Sequence, residues 1–214
     1  MASYKAVRGV LNALKDFLTL RMKNGLDQVL ESPGVAILGT VDLQKPPTAS
    51  AAGHPKINSI GIYLHRISVD PFARNRYVAS PIPNKPAQPE MPINLHIFLL
   101  AWTNNGESES LLATWALQQI GSGLQMGFSQ LKTYDADWAL DELVQVIPEE
   151  MSTEDLQRIW DSLPGNYILS VPYIVKTIRL LPDPQIDSHK PVSTVVTPYL
   201  QKAESTNGES NNGS

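Results

Sequence analysis

The 214-residue sequence contains no cysteine, which removes disulfides, thiolate metal sites and thiol nucleophiles together. A reducing, intracellular compartment fits that composition. No apolar run approaches the ~18–20 residues that a membrane span needs. The N-terminal stretch carries charges throughout and has no uninterrupted apolar segment, so it does not read as a secretory signal. The expectation is a protein of the cytoplasm that meets a membrane only indirectly. Basic clusters are also missing. The 17 Lys and Arg are scattered against 21 Asp and Glu, for a formal charge of −4, and the local group Arg74 and Arg76 is only a pair. Phosphate backbones require clustered cations, so no nucleic-acid partner is expected.

The motifs of common chemistries are absent as well. There is no G-x-S-x-G turn for a serine nucleophile. Gly121, Gly123 and Gly127 have the wrong spacing for a dinucleotide cradle and sit where a helix closes, not where a strand feeds one. Of His54, His65, His96 and His189, no two stand at a metal-ligand spacing. His96 alternates with apolar neighbours and reads as a hydrogen-bonded core or interface residue. Asp135, Asp137, Asp141 and Glu142 are dense, yet lack the glycine and distal glutamate of a calcium-binding hand, so they read as a solvated acidic face. No catalytic residue, cofactor or metal is expected. A dispersed Ser, His and Asp could still meet in space, and nothing in the sequence singles such a set out.

What the sequence does contain is a core. Apolar residues make up 42% of it, enough for one domain. Val7, Val10, Leu11, Leu14, Phe17, Leu18 and Met22 recur at three- and four-residue steps, predicting a helix over 3–23 that packs on a sheet. Strands are predicted at 35–41 and 59–69. The second keeps a single apolar face only if a bulge falls near His65 and Arg66. Pro71, Pro81, Pro83, Pro86, Pro89 and Pro92 predict a long extended loop, read either as a docking arm or as a solvated excursion. Residues 93–102 form the clearest central strand, apolar on both faces. A helix over 107–120 follows, then a stretch at 124–139 without clear pattern, and a strand at 142–147. A helix capped by Ser152 comes next, and a last strand covers 173–181. Trp102, Trp115, Trp138 and Trp160 are placed as core anchors. After Pro184 the pattern dissolves into small polar residues. The expected division is a domain over 1–182 and an extended, largely disordered tail over 183–214. The fold class is α+β: a mixed, largely antiparallel sheet packed by the N-terminal helix and two or three others.

The order of these pieces resembles the tail-terminator, or cap, proteins of phage-tail-like contractile injection systems. The resemblance rests on four stretches. The first is Ile62, Tyr63, Leu64, His65, Arg66 with Arg74 and Asn75 downstream. The second is the proline-led strand from Pro92 through Leu95, His96 and Phe98 to Leu100. The third is the Trp160 helix from Leu156 to Leu163 with the turn Pro164, Gly165, and the fourth the strand opening Ser170, Val171, Pro172, Tyr173. The sequence departs from the family pattern at His65, at Asp70 and Pro71, and over 121–139. The resemblance implies structural work and no enzyme activity. It implies a homohexameric ring at the baseplate-distal end of the particle, bound to the inner tube protein and the sheath protein, ending their polymerisation. Another tail-assembly or adaptor role in the same particle, and a small enzyme with a dispersed site, are the alternatives. Contact residues expected on this reading are Arg74, Asn75, Arg76, Pro81 and Pro83 in the loop, with Lys176 and Arg179 on opposite faces of the last strand.

Overall fold

A single strand, Met91–Trp102 (β5), organises the fold, and its sequence explains why. Ile93, Leu95, Ile97, Leu99 and Ala101 line one face, while Phe98, Leu100 and Trp102 line the other, and all of them are buried. A strand apolar on both faces needs neighbours on both edges and cover above and below. In the computed structural model β5 lies third in a six-stranded sheet. The other strands are Gly34–Leu38 (β1), Ser59–Val69 (β2), Leu124–Gly127 (β6), Leu143–Pro148 (β7) and Ser170–Leu180 (β8), and the order across the sheet is β1-β2-β5-β8-β7-β6. β1 runs parallel to β2 and every other pairing is antiparallel. The described residues are 2–23, 25–44, 56–72, 77–78, 88–121 and 123–181, all within one unit, Met1–Pro182. The expected tail over 183–214 lies outside them.

One sheet face is covered by Ala6–Met22 (α1) and Gly106–Ile120 (α2). Val10, Leu14, Leu18 and Met22 of α1 and Leu112, Ala116 and Ile120 of α2 join Ile60, Ile62, Leu95, Ile97, Tyr173, Val175 and Ile178 in the main core. At its N-terminal end α2 is capped by Asn105, whose side chain accepts the Glu107 N–H at 3.0 Å, with Glu107 and Glu109 in the first turn favoured by the helix dipole. The chain before α1 is tied down twice. Ala2 bridges Leu180, and Ser3 donates through its N–H and its hydroxyl to Asp135 at 3.1 and 2.8 Å. Asp135 is 4% exposed, so it is a structural anchor and not part of a solvated acidic face.

The opposite sheet face carries a smaller core. Thr153–Ser162 (α4) lays Trp160 over Phe98, Leu100 and Trp102, with Leu38, Leu43 and Tyr63 alongside. Ser152 caps α4 by accepting the Asp155 N–H at 3.0 Å and donating its hydroxyl to the Asp155 carboxylate at 2.7 Å, as the shortened capping pair predicted. Of the four tryptophans, Trp102, Trp138 and Trp160 are buried and Trp115 packs partly buried against the main core.

Several boundaries differ from the sequence expectation. Pro92 lies inside β5, at the end of the β2 ladder, where its carbonyl still accepts from Asp70 N–H at 2.9 Å, so its missing donor interrupts no further pairing. Within the expected loop, Tyr77–Val78 (β3) and Gln88–Pro89 (β4) pair as a short antiparallel ladder. The unpatterned stretch at 124–139 contains β6 and a single helical turn, Phe128–Leu131 (α3). Both are four residues long, too short for any periodicity to register.

Candidate functional site

Two clefts open on the α4 face of the sheet, in the part α4 leaves uncovered. Each is furnished by a β-bulge. In β2 the register with β5 shifts between Leu64 and Arg66, so His65 is an extra residue, as the alternation predicted. The bulge returns Ile67 and Val69 to the rungs of Leu95 and Ile93, restoring one apolar side to the strand. It also delivers His65 and Arg66 together into the first cleft, about 590 Å³, bounded by the Glu149–Met151 connector and by α4.

The floor of this cleft is a chain of hydrogen bonds. His96, 6% exposed, has its Nδ1 2.7 Å from Glu149 Oε1 and its Nε2 2.8 Å from Ser68 Oγ. An ionised carboxylate only accepts, so Nδ1 carries the proton and Nε2 accepts from the Ser68 hydroxyl when the ring is neutral. His65 stacks on Phe98 with centroids 4.2 Å apart and meets His96 edge-on at 6.0 Å. Burial, then the neighbouring His96 and Arg66, lower the His65 pKa from 6.5 to about 4. Among the described residues, His65 Nε2 and Glu149 Oε2 are buried without hydrogen-bond partners.

Ser68, His96 and Glu149 thus stand in the order of a nucleophile, base and acid. Among the described residues, the rest of an acyl-transfer site is not built around them. Ser68 sits in a regular ladder opposite Asn94, not on a strand-to-helix turn where backbone N–H groups converge on an oxyanion. The trio instead ties three segments together: β2, β5 and the connector into α4.

A second bulge furnishes the second cleft. Between the pairs Ile93–Ile178 and Leu95–Val175, β8 has two residues, Lys176 and Thr177, where β5 has one, Asn94. This corrects one expectation: Lys176 and Arg179 do not lie on opposite faces. The extra residue reverses the alternation, and both line one cleft of about 410 Å³ with Glu90, Asp141, Glu142 and Gln145. The Arg179 guanidinium lies 3.4 Å from Glu90, whose side chain is 3% exposed. Lys176 makes no ion pair among the described residues. The other expected contact residues, Arg74, Asn75, Arg76, Pro81 and Pro83, lie outside the described residues, as do His54 and His189.

Sequence reasoning recognised His96 as a hydrogen-bonded strand histidine and missed its partners. Ser68 and Glu149 lie 28 and 53 residues from it, and no spacing rule spans such distances. The only available signal was the bulge itself, which places a polar pair on a buried strand.

The family model described as the Pvc16 N-terminal domain matches residues 9–194. Among solved structures, the PVC sheath/tube terminator in the extended state, from a cryo-EM study of an extracellular contractile injection system, shares the fold. Its TM-score is 0.51 at 16% identity, covering 95% of this chain and 66% of that one. The anti-feeding prophage cap, a tube terminating cap, aligns over 83% of this chain and 60% of its own at 12% identity and a TM-score of 0.36. The chain therefore spans 66% and 60% of the lengths of these proteins. A comparison with functionally characterised sequences gives no significant match. The family model matches residues 9–194, well over half of the chain, so the chain belongs to the Pvc16 N-terminal domain family.

Proposed function

We propose that this protein is a structural terminator of a contractile injection system. On this reading it assembles in the cytoplasm as a ring of six copies on the baseplate-distal end of tube and sheath, and its work is to stop their growth. The observation that carries the reading is the family match over residues 9–194, supported by the fold shared with a sheath/tube terminator. The physics is consistent. A head-to-tail interface whose rotation closes makes a ring instead of a filament. Growth stops when one ring face fits the last tube layer and the other offers no copy of that fit.

Two surfaces suit the contacts. Beyond Tyr63, where the β1 pairing ends, the outer edge of β2 has no strand partner among the described residues, and Ile67 and Val69 there are 52% and 39% exposed. A free edge accepts an extended segment through backbone hydrogen bonds. The Lys176 cleft is the second surface. Arg179 already has Glu90, so Lys176 is the better contact residue of the two. Arg74, Asn75, Arg76, Pro81 and Pro83 are proposed to reach a neighbouring subunit from their loop.

Gene deletion followed by negative-stain microscopy is the test. Loss of the protein should give particles of uncontrolled or unstable length, and Lys176→Glu should weaken capping while leaving the fold intact by circular dichroism. Particles of normal, uniform length after deletion would refute the terminator reading, and light scattering on the assembled cap would reveal a stoichiometry other than six.

A further inference from the structure

The connector into α4 is fastened to the sheet by one histidine, and a second histidine lies beside it in the same cleft. We propose that this pair is an acid-sensitive latch: at neutral pH it holds α4 over the Phe98 and Trp160 layer, and mild acid releases the 149–163 segment from the sheet face while the rest of the fold stays closed. The proposal stands on this cleft alone and does not depend on the terminator reading.

The geometry makes the latch local. Glu149 is the first residue after β7 and meets the sheet through two bonds. Its carboxylate accepts from His96 Nδ1 at 2.7 Å, and its N–H donates to the Pro172 carbonyl at 3.1 Å. From there the chain runs through Met151 into α4, and Ile159 of that helix and Leu163 just after it line the cleft together with His65. The aromatic layer continues from His65 to Phe98 at 4.2 Å, from Phe98 to Trp160 at 6.4 Å and from Trp160 to Tyr167 at 5.6 Å. Trp160 is the one buried side chain that α4 contributes. The helix thus has few anchors, and segments of that kind open independently of the global fold.

The chemistry makes the latch respond to protons. A proton on His65 would be buried on Nε2, which has no acceptor. The charged and titratable groups facing it are Arg66 on its own strand, His96 on β5, Glu149 and Glu150 on the connector, and Asp155 and Arg158 on α4. On β8 the neighbour of His96 is Ile174, with Lys176 beyond it. Arg158 is committed to Glu154 at 2.5 Å and lies 3.9 Å from Asp155. Among the described residues nothing lies within hydrogen-bond reach of His65 Nε2, so a protonated His65 has no acceptor there in the closed cleft and faces the His96 ring at 6.0 Å. With α4 lifted, His65 meets water and takes its proton at the ordinary value near 6.5. Held at about 4 when closed, it favours the open segment by up to roughly thirtyfold at pH 5, and solvent screening of a partly exposed ring brings this to about fivefold.

Hydrogen exchange with mass spectrometry on the full chain at pH 7.5 and pH 5.0, corrected for intrinsic exchange, tests the proposal. Peptides covering 149–163 should lose protection about fivefold between the two conditions, while β5 and α1 peptides hold theirs. His65→Phe keeps the ring stack and removes the titration, so it should abolish the selective loss. Glu149→Ala removes the acceptor of the His96 Nδ1–H and should open the segment already at pH 7.5; protection of 149–163 retained in that variant would also overturn the latch. If His65→Phe folds poorly, His65→Gln serves the same purpose. Unchanged protection of 149–163 at pH 5.0, an equal loss in every element, or a selective loss that survives both His65 substitutions would overturn the latch. So would covalent labelling of Ser68 by a fluorophosphonate in the native chain, since that would assign the Ser68–His96–Glu149 chain to nucleophile activation.

Discussion

Replacing Trp160 and Ser170, singly and together, measures how α4 is held. Trp160 is 4% exposed and Ser170 6% exposed, and the indole N–H donates to the Ser170 hydroxyl at 3.1 Å. Trp160→Phe keeps a ring in the aromatic stack but gives up part of the indole's buried apolar area, about 1 kcal/mol at ~25 cal/mol per Å². It also leaves the Ser170 hydroxyl without its donor, at about 1–2 kcal/mol, for a total near 2–3 kcal/mol. Ser170→Ala orphans the indole N–H in a dry layer and should cost about 1–2 kcal/mol. In the double variant neither group is stranded, so its destabilisation should fall short of the sum by about 1 kcal/mol. Urea unfolding followed by far-UV circular dichroism gives all three values, with an unchanged slope as the check that the denatured state is the same. Strict additivity would mean the bond contributes nothing, and the account of α4 as a helix pinned by one tryptophan would fail with it.

Other substitutions probe the remaining joints. Gly165 has φ +149° and a Cβ there would overlap the Leu43 carbonyl, so Gly165→Ala should lower stability by about 2–4 kcal/mol in thermal unfolding. Gly61→Ala meets the flexible end of Leu38 instead, which can give way, and should cost about 1–2 kcal/mol. Asp135→Ala removes the acceptor for Ser3 N–H, Ser3 Oγ and Asp137 N–H; a loss of about 2–3 kcal/mol and faster proteolysis near the N-terminus are expected. Because folding lowers the His65 pKa from 6.5 to about 4, the unfolded chain binds more protons in that window. The His65 contribution is complete above pH 6.5 and is lost as pH falls towards 4. After discounting for its partial exposure this amounts to about 1 kcal/mol, seen as the part of the acid destabilisation that His65→Phe removes.

The fold was legible wherever a periodic face was long enough to count. Residues 93–102 announced a central strand because both alternating sets are apolar. The bulge in β2 was legible because a polar pair, His65 and Arg66, breaks an otherwise regular alternation and Ile67 and Val69 resume it out of phase. The bulge in β8 was not legible. Ile174, Val175, Thr177 and Ile178 put β-branched residues on both parities, so a strict period of two assigned Lys176 and Arg179 to different faces and nothing in the sequence objected. β6 and α3 were lost for a different reason, since a four-residue element has no period. The first cleft was hidden by distance. Glu149 follows a strand-ending proline beside Glu150 and looks like a solvated turn; its contact with His96 exists only because the β7–β8–β5 order brings that turn across two strands.

The two bulges are related through β5. This strand is continuous from Met91 to Trp102, and each of its neighbours carries one extra residue near the rungs of Asn94 and His96. A bulge puts two consecutive side chains on one side of a sheet. In both cases here that side is the α4 face: His65 with Arg66 in one cleft, Lys176 with Thr177 in the other. The apolar side is undisturbed, because each strand re-enters its alternation one residue later, with Ile67 opposite Leu95 and Ile178 opposite Ile93. The sheet therefore keeps its apolar side in phase, with Leu95, Ile93 and Ile178 in the core beneath the helices, while gaining polar and charged groups on its far side. The helix-covered face supplies the stability, and the bulged face can vary in charge and in what it contacts without repacking the core beneath it.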